Sequence, residues 1–227
     1  MVVGIGLYRT WGPGSPAVTT NNDLAAGSVT FESVPTTSEK KMETGTYTAE
    51  VDDSTIDWEA GKPAISGYVH HGRFALQSGE VTLENEALTG EFVIDVNSLE
   101  MISLGGGKAG QESTLEGHLK GERFFDTANH PTATFKITDV SPKVLPGPEQ
   151  SEYNATGELT IKGQTEEVSF PMKVVVDENN EVWVTADLEI DRTKWGIDFG
   201  SASIAEKITE NIIGDMVKLD LKVKLSK

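Results

Sequence analysis

Residues 217–225 read VKLDLKVKL. Val217, Leu219, Leu221, Val223 and Leu225 share one parity, and Lys218, Asp220, Lys222 and Lys224 the other. Successive side chains of an extended strand point to opposite faces. A period of two therefore describes a strand with one buried face and one wet face. A helix is ruled out, because its apolar stripe would recur every third or fourth residue.

The same alternation runs upstream. Val168, Phe170, Met172 and Val174 alternate with Glu167, Ser169, Pro171 and Lys173. Val182, Val184, Ala186, Leu188 and Ile190 alternate with Trp183, Thr185, Asp187 and Glu189. Phe92, Ile94 and Val96 do so with Glu91, Val93 and Asp95, and shorter cases are Ile56 with Trp58, Val81 with Leu83, and Phe135 with Ile137. Turn-forming clusters punctuate these runs: Gly61-Lys62-Pro63, Gly79, Glu84-Asn85-Glu86, Gly163 and Glu178-Asn179-Asn180. Short connections join antiparallel neighbours. The expected fold is all-β, an extended antiparallel barrel of about eight strands, whose closure removes exposed edges. A two-sheet sandwich satisfies the same periodicity.

Two stretches break the pattern. Residues 97–131 contain Gly105-Gly106-Gly107 and then a short helix expected over residues 112–121. Residues 198–214 hold a Gly/Ser turn and a helix-like run over residues 204–210. Both are expected to cover the barrel. The first ends in LEGHLKGERFFDTANHPTATF, residues 115–135. It joins an amphipathic turn to Phe124-Phe125, then a polar connector with His130-Pro131, then a strand. No acid, base or nucleophile in it is set up for chemistry. Bulky rings beside an alternating strand describe a lid or plug against a barrel wall.

The whole chain has 227 residues and a net charge of −17, with 37% hydrophobic residues and no cysteine. That length suits one large all-β domain. The charge repels phosphate backbones and anionic headgroups, which excludes nucleic acid as a partner class and electrostatic docking on acidic lipid. Without cysteine there is no disulfide, thiolate catalysis or cysteine zinc site. No apolar run reaches the roughly 20 residues of a bilayer span. Residues 1–45 are rich in Gly, Pro, Ser, Thr and Asn. They read as a flexible arm or tether, with a short edge strand at residues 28–34, and residues 46–227 form the barrel domain. The start has a brief apolar patch, no basic region ahead of it and no clear cleavage signal, which reads as a cytoplasmic protein or a processed start.

Candidate chemical groups are sparse. His70 and His71 are adjacent on a strand, so their rings face opposite sides and do not chelate one metal. His118 and His130 fall in no ligand spacing. Asp187 and Glu189 sit on a wet face, and Asp191-Arg192 reads as a local ion pair pinning a turn. Gly105-Gly106-Gly107-Lys108 lacks the rest of a phosphate loop, and Ser201 and Ser203 have no histidine nearby in sequence. No metal and no catalytic residue is expected. The aromatic residues Trp58, Phe74, Phe92, Phe124, Phe125, Phe135, Phe170, Trp195 and Phe199 are too dispersed for one surface patch. They either pack a filled core or line a hollow one, since a closed barrel accommodates both.

Several segments, in order, resemble the YceI-like family of polyisoprenoid-binding, lipocalin-like domains. They are Ser54-Thr55-Ile56-Asp57-Trp58; His71-Gly72 before a strand; residues 119–126, ending in Phe124-Phe125-Asp126; Pro131-Thr132-Ala133-Thr134-Phe135; Gly157-Glu158-Leu159-Thr160-Ile161-Lys162-Gly163-Gln164-Thr165; and Asp191-Arg192-Thr193-Lys194-Trp195-Gly196-Ile197. The resemblance implies an elongated apolar pore holding an isoprenoid or fatty amphiphile, with no catalytic residue and no cofactor. Under it the ligand-contacting candidates are Trp58, Phe74, Phe92, Ile94, Leu119, Phe124, Phe125, Phe135, Ile137, Phe170, Trp195 and Phe199, with His70 or His71 at the head group. It also implies a periplasmic or cell-envelope location and a homodimer; a signal peptide and a lipidation cysteine are not seen in this sequence. The competing readings are an enzyme on a lipid or quinone-like substrate using His70, His71 or His118, and a protein-interaction module with a filled barrel.

Overall fold

The alternating runs become nine strands in a computed structural model that describes residues 41–107, 110–142, 152–201, 203–204 and 212–227. In chain order they are β1 (Gly45–Ala49), β2 (Thr55–Gly61), β3 (Val69–Glu84), β4 (Ala87–Leu104), β5 (Thr132–Pro142), β6 (Glu152–Ile161), β7 (Gln164–Val176), β8 (Val182–Asp191) and β9 (Met216–Ser226). One α-helix, α1 (Glu112–Lys120), lies between β4 and β5 and ends at Gly121. The strand expected at residues 28–34, and residues 205–210 of the expected second helix, lie outside the described residues.

The pairings between these nine strands are all antiparallel, in the order β1-β3-β2-β9-β8-β7-β6-β5-β4, with β3–β4 and β1–β9 contacts closing the ring. β1 and β2 share one place in the wall. β1 pairs with the Glu80–Leu83 part of β3 and the tail of β9, whereas β2 pairs with the start of β3 and of β9. A single turn of 3-10 helix, Val51–Asp53, separates them. The two are halves of one broken stave, so the closed barrel has the expected eight staves. Ser54 stitches the break to β9. Its hydroxyl donates to Glu50 O at 2.7 Å and accepts from Lys224 N at 3.2 Å.

Two hairpins follow from their turn residues. Asn85-Glu86 joins β3 to β4 and Lys162-Gly163 joins β6 to β7, and all four residues have positive φ. Such two-residue turns match the right-handed twist of the strands they connect. Gly79 is a correction: the sequence reading makes it a turn, but it lies within β3, opposite Phe92. Glycine inside a strand also marks the close approach of a neighbouring group, and the register of β3 shifts just before it, between Leu76 and Ser78.

The parity of β9 is as read. Its apolar residues point into the barrel, and Lys218 and Lys224 face outward to pair with Glu59 at 3.3 Å and Glu181 at 2.8 Å. One outer row is less balanced. Asp57, Asp220 and Asp187 are cross-strand partners on β2, β9 and β8. Arg73 binds Asp57 through two bonds, of 2.6 and 3.0 Å. Desolvation, and then the Asp187 and Asp57 carboxylates, raise the Asp220 carboxyl above its ordinary value. A carboxyl raised in the folded state contributes stability below its unfolded value and loses it as pH rises through the folded one. Asp220→Asn is therefore expected to melt above the parent at neutral pH. The gap should close as both are acidified below the carboxylate range, measured as thermal denaturation against pH. A gap independent of pH would reject the charge origin.

Candidate functional site

The inward parity of every stave meets in one lumen. Its walls run from Met42 and Leu88 near one end to Ile197 and Ile213 near the other, and among the described residues the lining side chains are apolar except Arg192. About 240 Å³ of it is open to the centre of a water-sized sphere, so the barrel is hollow. Cavities of this apolar kind stay dry or take apolar guests.

Rings set the shape of the wall. Phe74 and Phe125 meet edge to face at 5.4 Å, and Phe135 and Phe170 are tilted at 5.4 Å. Phe125 arrives from the segment after α1. There Phe124 N donates to Gly121 O, Phe125 N to Leu119 O, and Asn129 N and His130 N to Asp126 O. Asp126 takes a positive φ, and its carboxylate accepts from Asn129 Nδ2 at 3.0 Å. This compact turn directs the double phenylalanine at the lumen.

The turn covers a gap in the wall. β5 begins opposite Asp95, so β4 beyond that point has no β5 neighbour. Helix α1 stands in for it: Glu116 Oε1 accepts from Met101 N at 2.8 Å, and Leu115 and Leu119 pack on the core. None of the nine residues of α1 is fully buried.

The segment after β8 closes the same region. Asp191 caps a 3-10 turn, Arg192–Trp195, by accepting from Thr193 N at 3.0 Å and Thr193 Oγ1 at 2.6 Å. Arg192 is 6% exposed. Its guanidinium donates to Ile197 O at 2.5 Å, Gly214 O at 2.9 Å, Ile213 O at 3.3 Å and Asp215 Oδ1 at 3.5 Å. The expected Asp191–Arg192 ion pair is corrected: Asp191 caps, and Arg192 ties the nearby Ile197 carbonyl to the distant segment at residues 213–215. Burial lowers the Arg192 guanidinium from its ordinary value, against Asp215, Asp191 and Asp198. Trp195 is buried and donates from Nε1 to Leu159 O at 2.9 Å.

Of the residues expected to contact a ligand, Trp58, Phe74, Phe92, Ile94, Leu119, Phe124, Phe125, Phe135, Ile137, Phe170 and Trp195 line the lumen. Three do not. Phe199 is 43% exposed and lies edge-on to Phe124 at 5.5 Å, outside the wall. His71 faces outward, 3.8 Å from Glu59. His70 lies on the inward parity beyond Gly72 but sits under the glycine turn, against Tyr68 at 4.7 Å and near Gly107. Burial, then Lys62 and His71, lower its pKa, which favours the neutral ring. Two buried polar atoms of the described residues have no partner, His70 Nδ1 and Trp58 Nε1. Among the described residues, no group of three His, Asp or Glu is placed to hold a metal ion. Met42, Leu88 and Ile213 are wall residues that periodicity did not flag, because they lie outside or at the margin of the alternating runs.

Known proteins share this architecture. Burkholderia cenocepacia BcnA aligns over 79% of this chain and 99% of its own, with 21% identity and a TM-score of 0.56. A polyisoprenoid binding domain from Saccharophagus degradans, implicated in plant cell wall breakdown, aligns over 79% of this chain and 97% of its own, with 16% identity and a TM-score of 0.59. No curated protein matches the chain by sequence. The YceI-like domain model matches residues 47–225, almost the whole barrel. The chain thus belongs to the YceI-like domain family.

Proposed function

We propose that this protein binds a long isoprenoid, or a similar amphiphilic lipid, with its tail in the lumen, and that it carries, stores or sequesters that lipid without turning it over. The observation that carries the reading is the hollow, apolar lumen spanning the barrel. Burying each methylene contributes about 0.8 kcal/mol. A tail of about ten or more carbons thus offsets the cost of association with few polar contacts. The one charged side chain among the described lining residues, Arg192, is already engaged with carbonyl oxygens and Asp215. That favours binding over acid–base chemistry. The polar head fits the end near Trp58, a lining residue whose Nε1 has no partner among the described residues. The family relationship and the Saccharophagus neighbour support an isoprenoid as the ligand class. A periplasmic or cell-envelope location and a homodimeric state belong to the same proposal, on family grounds alone.

The test is mass spectrometry of an organic-solvent extract of the purified protein beside a matched blank, followed by titration of the stripped protein with a long isoprenoid alcohol. A stoichiometric amphiphile, or saturable uptake of the added one, is the expected result. An empty extract together with failed titration would reject the reading.

A further inference from the structure

Among the inward-facing glycines of the wall, three lie beneath an aromatic ring of the lumen. Gly72 is the cross-strand partner of Trp58, and Gly79 that of Phe92. Gly157 lies diagonally from Phe135, one step from its partner Ile137. A Cβ built on any of the three would fall within the ring beside it, closer than real Cβ atoms come. At Gly72 and Gly157 a backbone oxygen, of Glu100 and Lys136, also stands in the way. At Gly79 the three nearest atoms are all side-chain atoms, Phe92 Cδ1 and Cε1 and, at 3.0 Å, Ala49 Cβ. None of the three glycines has a positive φ, so conformational freedom does not account for them. They provide recesses into which flat rings settle, and glycine in a strand marks such close approaches.

Resting on the lipid-binding reading above, we propose that these recesses set the bore of the lumen, and that Gly79 selects for the width of the bound chain, admitting a methyl-branched one. With Phe92 recessed on Gly79, the ring is part of the wall. With a methyl group in the recess, the ring must tip toward the lumen axis. Packed interiors resist such additions, and the displaced atoms move into the space that has no occupant. A methyl-branched chain is thicker than a straight one, so the narrowed bore penalises it more.

The experiment titrates the full, delipidated chain with geranylgeraniol and with the straight-chain alcohol of equal carbon count. It compares the parent, Gly79→Ala and the double variant Gly79→Ala/Phe92→Ala, with thermal melts alongside. The parent is expected to bind geranylgeraniol. Gly79→Ala should weaken that binding by about tenfold, with a smaller loss for the straight chain, and the double variant should regain most of it because the displaced ring is gone. Equal losses for both chains, unchanged binding in Gly79→Ala, or failure of the double variant to recover would each overturn the bore assignment while leaving lipid binding intact. A parent that binds neither alcohol would overturn the lipid reading, and this inference with it.

Discussion

Phe125→Asp is expected to be purified empty. The ring lines the lumen, abuts Phe74 edge-on at 5.4 Å and lies on the connector that fills the gap beside β4. A carboxylate there enters an apolar wall whose charged side chain among the described residues, Arg192, is already engaged by carbonyl oxygens and Asp215. An unpaired charge in such surroundings costs several kcal/mol unless it draws in water or takes up a proton. A tail laid against it would have to exclude that water. Retention of an isoprenoid should fall by roughly 100-fold or more, seen as loss of the lipid from an organic extract. The far-UV circular dichroism should be nearly that of the parent, because Phe125 belongs to no strand. A variant that keeps its lipid would remove Phe125 from the wall.

The second large effect is on stability rather than binding. Arg192→Met should destabilise the barrel by about 3–5 kcal/mol, the usual cost of removing one partner from a buried charged network. The loss leaves the carbonyls of Ile197, Ile213 and Gly214 without this donor and Asp215 without this cation. For a domain of this size it lowers the melting midpoint by roughly 6–20 °C. Differential scanning calorimetry at neutral pH measures it directly. A midpoint within two or so degrees of the parent would show that water replaces the guanidinium without cost. Arg192→Lys tests the geometry: a single ammonium cannot hold the fork of bonds, so little of the loss should be recovered.

Much of this architecture is written in the chain because strand parity is local. Val217 and Lys218 declare their faces without reference to any other part of the molecule, and all five inward residues of β9 do line the lumen. Asn85-Glu86 and Lys162-Gly163 are legible as turns for the same reason. Hollowness is not local. Alternation is identical for a filled and an empty barrel, and only the closed set of staves shows that the rings leave space between them. Arg192 was misread because its partners at residues 197, 213 and 214 come together only when the segment after β8 folds back. Gly79 was misread because its conformational freedom suggests a turn, whereas its lack of a side chain accommodates Phe92. The two histidines show the limit of parity alone. It says that only one faces inward, but not that His70 packs against Tyr68 beside the glycine turn and lines no part of the lumen.

The broken stave has a consequence for how the molecule is made. β1 and β2 find their second neighbour only in β9, through contacts such as Lys224 N to Ser54 Oγ, 170 residues apart in sequence. Until β9 is available, the earlier strands form at best an open sheet with an apolar face and two unpaired margins. Pairings between such distant segments are entropically slow to form, and species with bare margins are the ones that aggregate. Closure is therefore expected to follow the synthesis of β9, and a nascent chain stalled before β9 is expected to aggregate through its unpaired margins.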